Sequence, residues 1–300
     1  MKIKVILSYL ESIAPLAYQE AYDNAGLITG LPDWNCRGVL ICLDATEAVV
    51  DEAIEKGVNL IVAHHPILFK GVKKLNEDSY VGRALIKAIK NDIALYAIHT
   101  NLDNIMEGVN GKMADLLQLE NRKPLLPKSG TLLQLYTYVP ANAVEKVQNA
   151  LYAAGAGKIG NYAECSFTVT GQGSFTPGEE ANPAIGQRGK KEILDEVKIE
   201  VVFPAWCRQQ VVKALLKSHP YEEVAYGVIS LENAFSGTGS GIIGELPQPL
   251  PEETLLRLLK EKFRLAFVRH TPLLSRPVSK VALCGGAGSF LIPRALAAGA

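Results

Sequence analysis

Along the first 120 residues, short unbroken apolar runs alternate with stretches in which apolar residues recur every three or four positions. That alternation predicts a sheet built from βα units. A helical spacing over residues 3–14 stops at Pro15. Beyond the polar, glycine-containing stretch DNAGLITG at 23–30, residues 38–43 are continuously apolar, which predicts a strand buried on both faces. Residues 46–56 carry Val49, Val50, Ala53 and Ile54 at helical spacing, with Gly57 as a C-terminal stop. The next strand, 59–63, runs into His64-His65-Pro66. A helix over 79–91 leads to a strand at 93–97, which runs into His99-Thr100-Asn101-Leu102-Asp103. Two successive strands therefore deliver polar residues at their C-terminal ends.

The rhythm changes at 121–131, NRKPLLPKSGT, which reads as a linker. Strand 132–139, helix 142–154, strand 163–170, a Gly- and Pro-rich loop at 171–190, strand 197–203, helix 206–218 and strand 224–231 follow. This βαβ–βαβ order predicts an inserted ferredoxin-like α+β module, with a flexible exit at 236–241. The α/β style then resumes with a strand at 241–246, a helix at 252–263, a strand at 280–284, a glycine turn and a final helical start.

Composition narrows the function classes. Thirty-one basic residues balance 31 acidic ones, so no net field draws the chain onto nucleic acid or an anionic membrane. The N-terminal stretch MKIKVILSYLESIAP carries a carboxylate and lacks a small-residue cleavage site, which points to the cytoplasm. The apolar C-terminal stretch 281–300 holds glycines, a Pro and an Arg and reads as strand, turn and helix, not as a membrane span. Five scattered cysteines, with no C-x-x-C pair, read as reduced.

Three of the five histidines sit at the two strand ends, with Asp103 beside them. Adjacent imidazoles at His64 and His65 project to different sides and could serve two neighbouring metal ions. Ligands in open α/β sheets gather at the carboxyl ends of strands, so the concentration points to metal or acid/base chemistry. A mixed N/O donor set suits Zn, Mn, Fe or Ni and not calcium. Asp23-Asn24 reads either as an Asx-turn or as part of the pocket lining. Asp44 follows a strand on the same expected face, and Thr46 beside it reads as a helix N-cap. Gly285-Gly286-Ala287-Gly288-Ser289 is either a tight packing turn or a set of backbone N–H groups offered to an anion, and it misses the dinucleotide fingerprint. His219-Pro220-Tyr221-Glu222-Glu223 reads as a helix end or as a second ligand site. His270 has no ligand type beside it.

These motifs, in this order, resemble the NIF3-like dinuclear metal proteins, the group of GTP cyclohydrolase 1 type 2 homologues. They are Asp23-Asn24-Ala25-Gly26-Leu27 with Gly30, Leu43-Asp44-Ala45-Thr46, His64-His65-Pro66-Ile67-Leu68-Phe69-Lys70, His99-Thr100-Asn101-Leu102-Asp103 and Gly285 to Ser289. The central His219-Pro220-Tyr221-Glu222-Glu223-Val224-Ala225-Tyr226 resembles the inserted PII/CutA-like domain of the longer bacterial members. The resemblance implies two α/β lobes, at 1–125 and 239–300, around an insert at 126–238. It implies that His64 and His65 bind two divalent transition-metal ions, that Asp103 is a further ligand, and that His99 lies among the ligands or just behind them, with Asp23 and Asp44 in support. It also implies a toroidal homohexamer. Family members continue past the glycine turn with a strand and a helix bearing a His and a Glu that complete the site, and the present sequence stops at Ala300.

Two classes of function follow from the resemblance. One is a metal-dependent hydrolase of the GTP cyclohydrolase type, opening a purine ring with release of formate, or a phosphoesterase using the same metals. The other is a non-catalytic metal-binding regulatory or scaffold protein.

Overall fold

Apolar runs become strands and the three-to-four spaced stretches become helices in a computed structural model that describes residues 1–233 and 237–300. The chain divides into two units, Met1–Pro127 with Gly237–Ala300, and Lys128–Ser236. The first unit opens with α1 (Ile3–Ile13), β1 (Gly26–Thr29), β2 (Val39–Asp44), α2 (Glu47–Glu55), β3 (Leu60–His65), α3 (Tyr80–Lys90), β4 (Ala94–Ala97), α4 (Thr100–Asp103), α5 (Val109–Leu116) and β5 (Glu120–Pro127). The second unit contains β6 (Leu132–Pro140), α6 (Val144–Ala153), β7 (Ser166–Phe175), β8 (Glu192–Pro204), α7 (Arg208–Ser218) and β9 (Tyr226–Leu231). The first unit then resumes with β10 (Gly239–Pro251), α8 (Glu252–Lys262), β11 (Pro277–Leu283) and α9 (Ile292–Ala297).

One sheet of the first unit has the order β1-β4-β3-β2. β2, β3 and β4 are parallel, with Val39 opposite Leu60 and Leu60 opposite Ala94, so their carboxyl ends share one edge. Ile61, Ala63 and Leu95 pack against Val50, Ala53, Ala84, Leu85 and Ala88. β1, inside the polar stretch 23–30, is an antiparallel addition to β4 that the pattern does not predict. The second sheet, β11-β10-β5, is antiparallel. In the second unit β7-β8-β6-β9 is antiparallel throughout, and with α6 and α7 it forms the ferredoxin-like βαββαβ arrangement. Its core joins Leu135, Val139 and Phe203 to Val147, Leu151, Val211 and Leu215.

Four expectations are corrected. β2 is not buried on both faces: it is an edge strand, and Leu40 and Cys42 pack on the core while Ile41 is 80% exposed, with Val39 and Leu43 exposed beside it. Residues 121–131 are not simply a linker, because Glu120–Pro127 pairs with β10 and buries Leu125. Pro124 and Pro127 are tolerated there because β5 lies at a sheet edge. The exit expected at 236–241 begins with Ser236, outside the described residues, but Gly239, Ser240 and Gly241 already belong to β10. A Cβ on Gly239 would meet the Leu126 carbonyl oxygen at 2.3 Å, so the glycine serves close backbone approach. The loop expected at 171–190 is shorter, since β7 and β8 pair from Ser166 opposite Val201 to Phe175 opposite Glu192. No helix among the described residues is long and apolar enough to cross a membrane.

Candidate metal centre

The parallel register of β2, β3 and β4 decides which side chains meet. Asp44 lies opposite His65, and beyond β4 the Ile98 N–H still donates to the Ala63 carbonyl at 2.9 Å. His64 Nδ1 lies 2.9 Å from the Ile98 carbonyl oxygen. A carbonyl only accepts, so Nδ1 carries the proton and Nε2 keeps its lone pair. His65 Nδ1 donates to Asp44 Oδ1 at 2.8 Å, and His99 Nδ1 donates to Asp23 Oδ1 at 2.8 Å. All three imidazoles are therefore held in one tautomer. One ring nitrogen from each can lie within 4.8 Å of the others.

Asp23 is the most heavily bonded member of the group, with a side chain that is fully buried. Burial would raise its pKa, but hydrogen bonds from the Thr100 hydroxyl and His99, with the backbone N–H groups of Asn24 and Thr100, hold the carboxyl below its usual range. Asp103, the last residue of α4, is in the opposite condition. Its Oδ1 is buried, accepts no hydrogen bond among the described residues, and lies 3.8 Å from His64 Nε2, beyond hydrogen-bonding range. Burial pushes the Asp103 carboxyl up, against the opposing attraction of His64 and His99.

Three buried asparagines frame this segment, Asn101, Asn104 and Asn110, none of which the sequence pattern singles out as a site residue. Asn101 accepts from the His99 N–H at 2.9 Å and donates to the Ala14 carbonyl at 2.7 Å. Asn104 donates to Tyr18 O and Glu20 Oε1 at 2.8 and 2.7 Å. Asn110 donates to the Asp103 carbonyl at 2.9 Å and accepts the Gly285 N–H at 2.7 Å. Asn101 lies within α4, Asn104 is its C-cap and Asn110 is in the first turn of α5, and buried amides at such positions require partners.

His64, His65, His99, Asp103, Asp23 and Asp44 thus come together at one sheet edge. In the glycine turn, the Gly285 and Gly288 N–H groups are engaged within the chain, by Asn110 and by Gly286 O, and Gly288 packs tightly on Cys284. Thr46 caps α2 by accepting from the Val49 N–H at 3.3 Å. His219 is structural: Nε2 donates to Tyr138 O at 2.9 Å and Nδ1 accepts from the Tyr221 N–H at 3.1 Å, leaving no ring nitrogen for a metal. Among the described residues, His270 bonds to Thr271 O alone, at 2.8 Å. All five cysteines are free.

The donor set fits a transition-metal ion. Three imidazoles are each braced at Nδ1 by a carboxylate or carbonyl, leaving Nε2 for a metal, the arrangement metal-binding histidines use. Asp103 Oδ1, 3.8 Å from His64 Nε2, places an oxygen donor beside this three-imidazole group. Two exposed aromatic rings flank it: Phe69 lies 5.5 Å from His99 between centroids, and Tyr22 stacks on Phe69 at 6.4 Å. Asn24 Nδ2 donates to Leu68 O at 2.8 Å and ties their two loops together.

A family model described as Duf34/NIF3 (NGG1p interacting factor 3) matches residues 1–300. The GTP cyclohydrolase 1 type 2 homolog of Bacillus subtilis (strain 168) is 40% identical over 296 residues, 98% of this chain and 79% of its own length. A protein of the same description from Listeria innocua is 41% identical over 294 residues, 97% of this chain and 79% of its own. Among solved structures, a Bacillus cereus protein related to NIF3 superposes with a TM-score of 0.86 at 39% identity, covering 100% of this chain and 80% of that one.

Proposed function

The chain belongs to the Duf34/NIF3 family, and we propose that it is a metal-dependent hydrolase acting on a purine nucleotide. The observation that carries this reading is the set of three imidazoles with braced Nδ1 atoms beside the unpartnered Asp103 oxygen. His64, His65, His99 and Asp103 hold the ion. A second ion, as the family resemblance implies, draws on the same edge of the sheet. A bound divalent ion supplies Lewis acidity, lowering the pKa of water and stabilising an oxyanion. Asp44 and Asp23, accepting from Nδ1, orient His65 and His99 and make Nε2 a better donor to a metal.

The name shared by the relatives, GTP cyclohydrolase 1 type 2 homolog, supports a guanine nucleotide as substrate. The exposed Tyr22–Phe69 pair suits a flat base, since base–aromatic stacking contributes about 1–3 kcal/mol per base. The reaction consumes two waters: one adds at C8 and opens the imidazole ring to a formamide, and the second releases formate. A cytoplasmic location and a homohexamer belong to the same reading.

The test combines metal analysis with turnover. Zinc-, manganese- or iron-loaded protein incubated with GTP releases formate, and His64→Ala loses both metal and release. Phosphate release without formate would replace ring opening by phosphoester hydrolysis. Full metal content with no turnover of any nucleotide would sink the hydrolase reading and leave a regulatory metal protein.

A further inference from the structure

In the sequence, the motif His219-Pro220-Tyr221-Glu222-Glu223 has no part in the metal centre, yet three of its residues line a cleft of about 760 Å³ in the second unit. That volume is in the range of small-molecule sites. Its aromatic members are Tyr138, Phe175 and Tyr221, and the connection 176–191 contributes Pro183 and Ile185. Phe175 and Tyr221 lie 6.4 Å apart between ring centroids.

Glu196, from β8, is the decisive side chain. It lines the cleft and is only 8% exposed. Tyr221 donates its hydroxyl to Glu196 Oε1 at 2.9 Å, and Tyr221 is itself set by the bond from its N–H to His219. Oε2 accepts no hydrogen bond among the described residues. It lies over Gly173, where an added Cβ would stand 1.9 Å from it, so the bare backbone makes room for the carboxylate. Oε2 is thus the carboxylate oxygen left open to a donor from a ligand in the cleft.

The remaining charges choose the ligand's sign. Glu222 and Glu223 line the cleft as well, and Glu222 already accepts the Asn182 N–H at 2.8 Å. Lys198 is the one cation among the lining residues, and its ammonium is paired with Glu200. Aromatic walls favour a cation over their faces.

We propose that this cleft binds a small organic ammonium ion with an apolar or aromatic body, its N–H groups donating to Glu196 Oε2 and its body lying against Tyr138, Phe175 and Tyr221. The inference is independent of the metal centre and goes beyond the hydrolase reading.

The probes are phenethylammonium, its neutral isostere phenylethanol and the anion phenylpropionate, titrated into the full chain at pH 7 by calorimetry and by protein-observed NMR. The ammonium is expected to bind at least about tenfold more tightly than the alcohol, with the anion weakest. Glu196→Gln, which keeps an acceptor for Tyr221, lowers ammonium affinity at least about tenfold and leaves alcohol affinity unchanged. Gly173→Ala, which displaces the carboxylate, does the same, and melting curves verify that each variant is folded. Equal binding of ammonium and alcohol, preference for the anion, no loss in folded Glu196→Gln, or no binding of any probe at millimolar concentration would each overturn the proposal.

Discussion

His99 Nδ1 donates to Asp23 Oδ1 at 2.8 Å across 76 positions of sequence, with the Asp23 side chain fully buried. One bond joins the loop before β1 to the end of β4, and it presents His99 Nε2 to the cluster. Asp23→Asn keeps the shape and removes the charge. Metal affinity, measured by chelator competition, is expected to fall about 10–100-fold. Unchanged affinity would show that His99 is oriented by its backbone alone.

Asp103 carries a buried oxygen that accepts no hydrogen bond among the described residues. Its desolvation opposes folding without metal and is relieved when an ion binds. Asp103→Asn should raise the melting midpoint of the metal-free protein and shrink the rise that saturating zinc produces. A tenfold loss in affinity corresponds to about 1.4 kcal/mol less metal stabilisation. Differential scanning calorimetry with and without zinc measures both. A lower metal-free midpoint would mean that the carboxylate is satisfied in a way the geometry does not reveal.

Burial holds the His219 pKa below the ordinary value of 6.5, and its two ring nitrogens are engaged as donor and acceptor in the neutral form. As pH falls, the unfolded chain takes up a proton before the folded one. The contribution of His219 is therefore complete above about pH 6.5 and is lost as pH drops through the folded value, by at most ~1.4 kcal/mol per pH unit. Urea unfolding of wild type and His219→Gln between pH 5 and 7.5 should show the gap between them narrowing toward acid. A constant gap would refute the assignment.

β2 leaves Val39, Ile41 and Leu43 exposed at a sheet edge. A contiguous apolar strip of this kind marks an association surface. Ile41→Lys is expected to change the folding free energy by less than about 0.5 kcal/mol and to lower the mass seen by size-exclusion chromatography with light scattering. An unchanged mass would refute β2 as an association surface.

Much of this was legible in the order of residues. The βα rhythm, the ferredoxin-like module and the gathering of His64, His65, His99 and Asp103 at strand ends follow from local periodicity and from the rule that parallel strands end on one edge. Local chemistry also predicted Thr46 as a cap and Gly57 as a stop. Partners were not legible. Whether residues 38–43 lie at the centre or the edge of a sheet, and whether 121–131 pairs with β10, depends on elements distant in sequence, and an apolar or proline-containing run looks alike in either place.

By itself, the sequence determined most of the helices and strands, the family resemblance and the identity of the histidines, because propensity, capping and motif are properties of neighbours along the chain. Tertiary structure decided which nitrogen each histidine leaves free, since that depends on the Ile98 carbonyl and the carboxylates of Asp44 and Asp23 arriving from other elements. It also left Asp103 without a donor and engaged both nitrogens of His219. Hydrogen bonds between residues far apart in the chain form only after the sheets are assembled, so the protonation and readiness of each side chain belong to the fold.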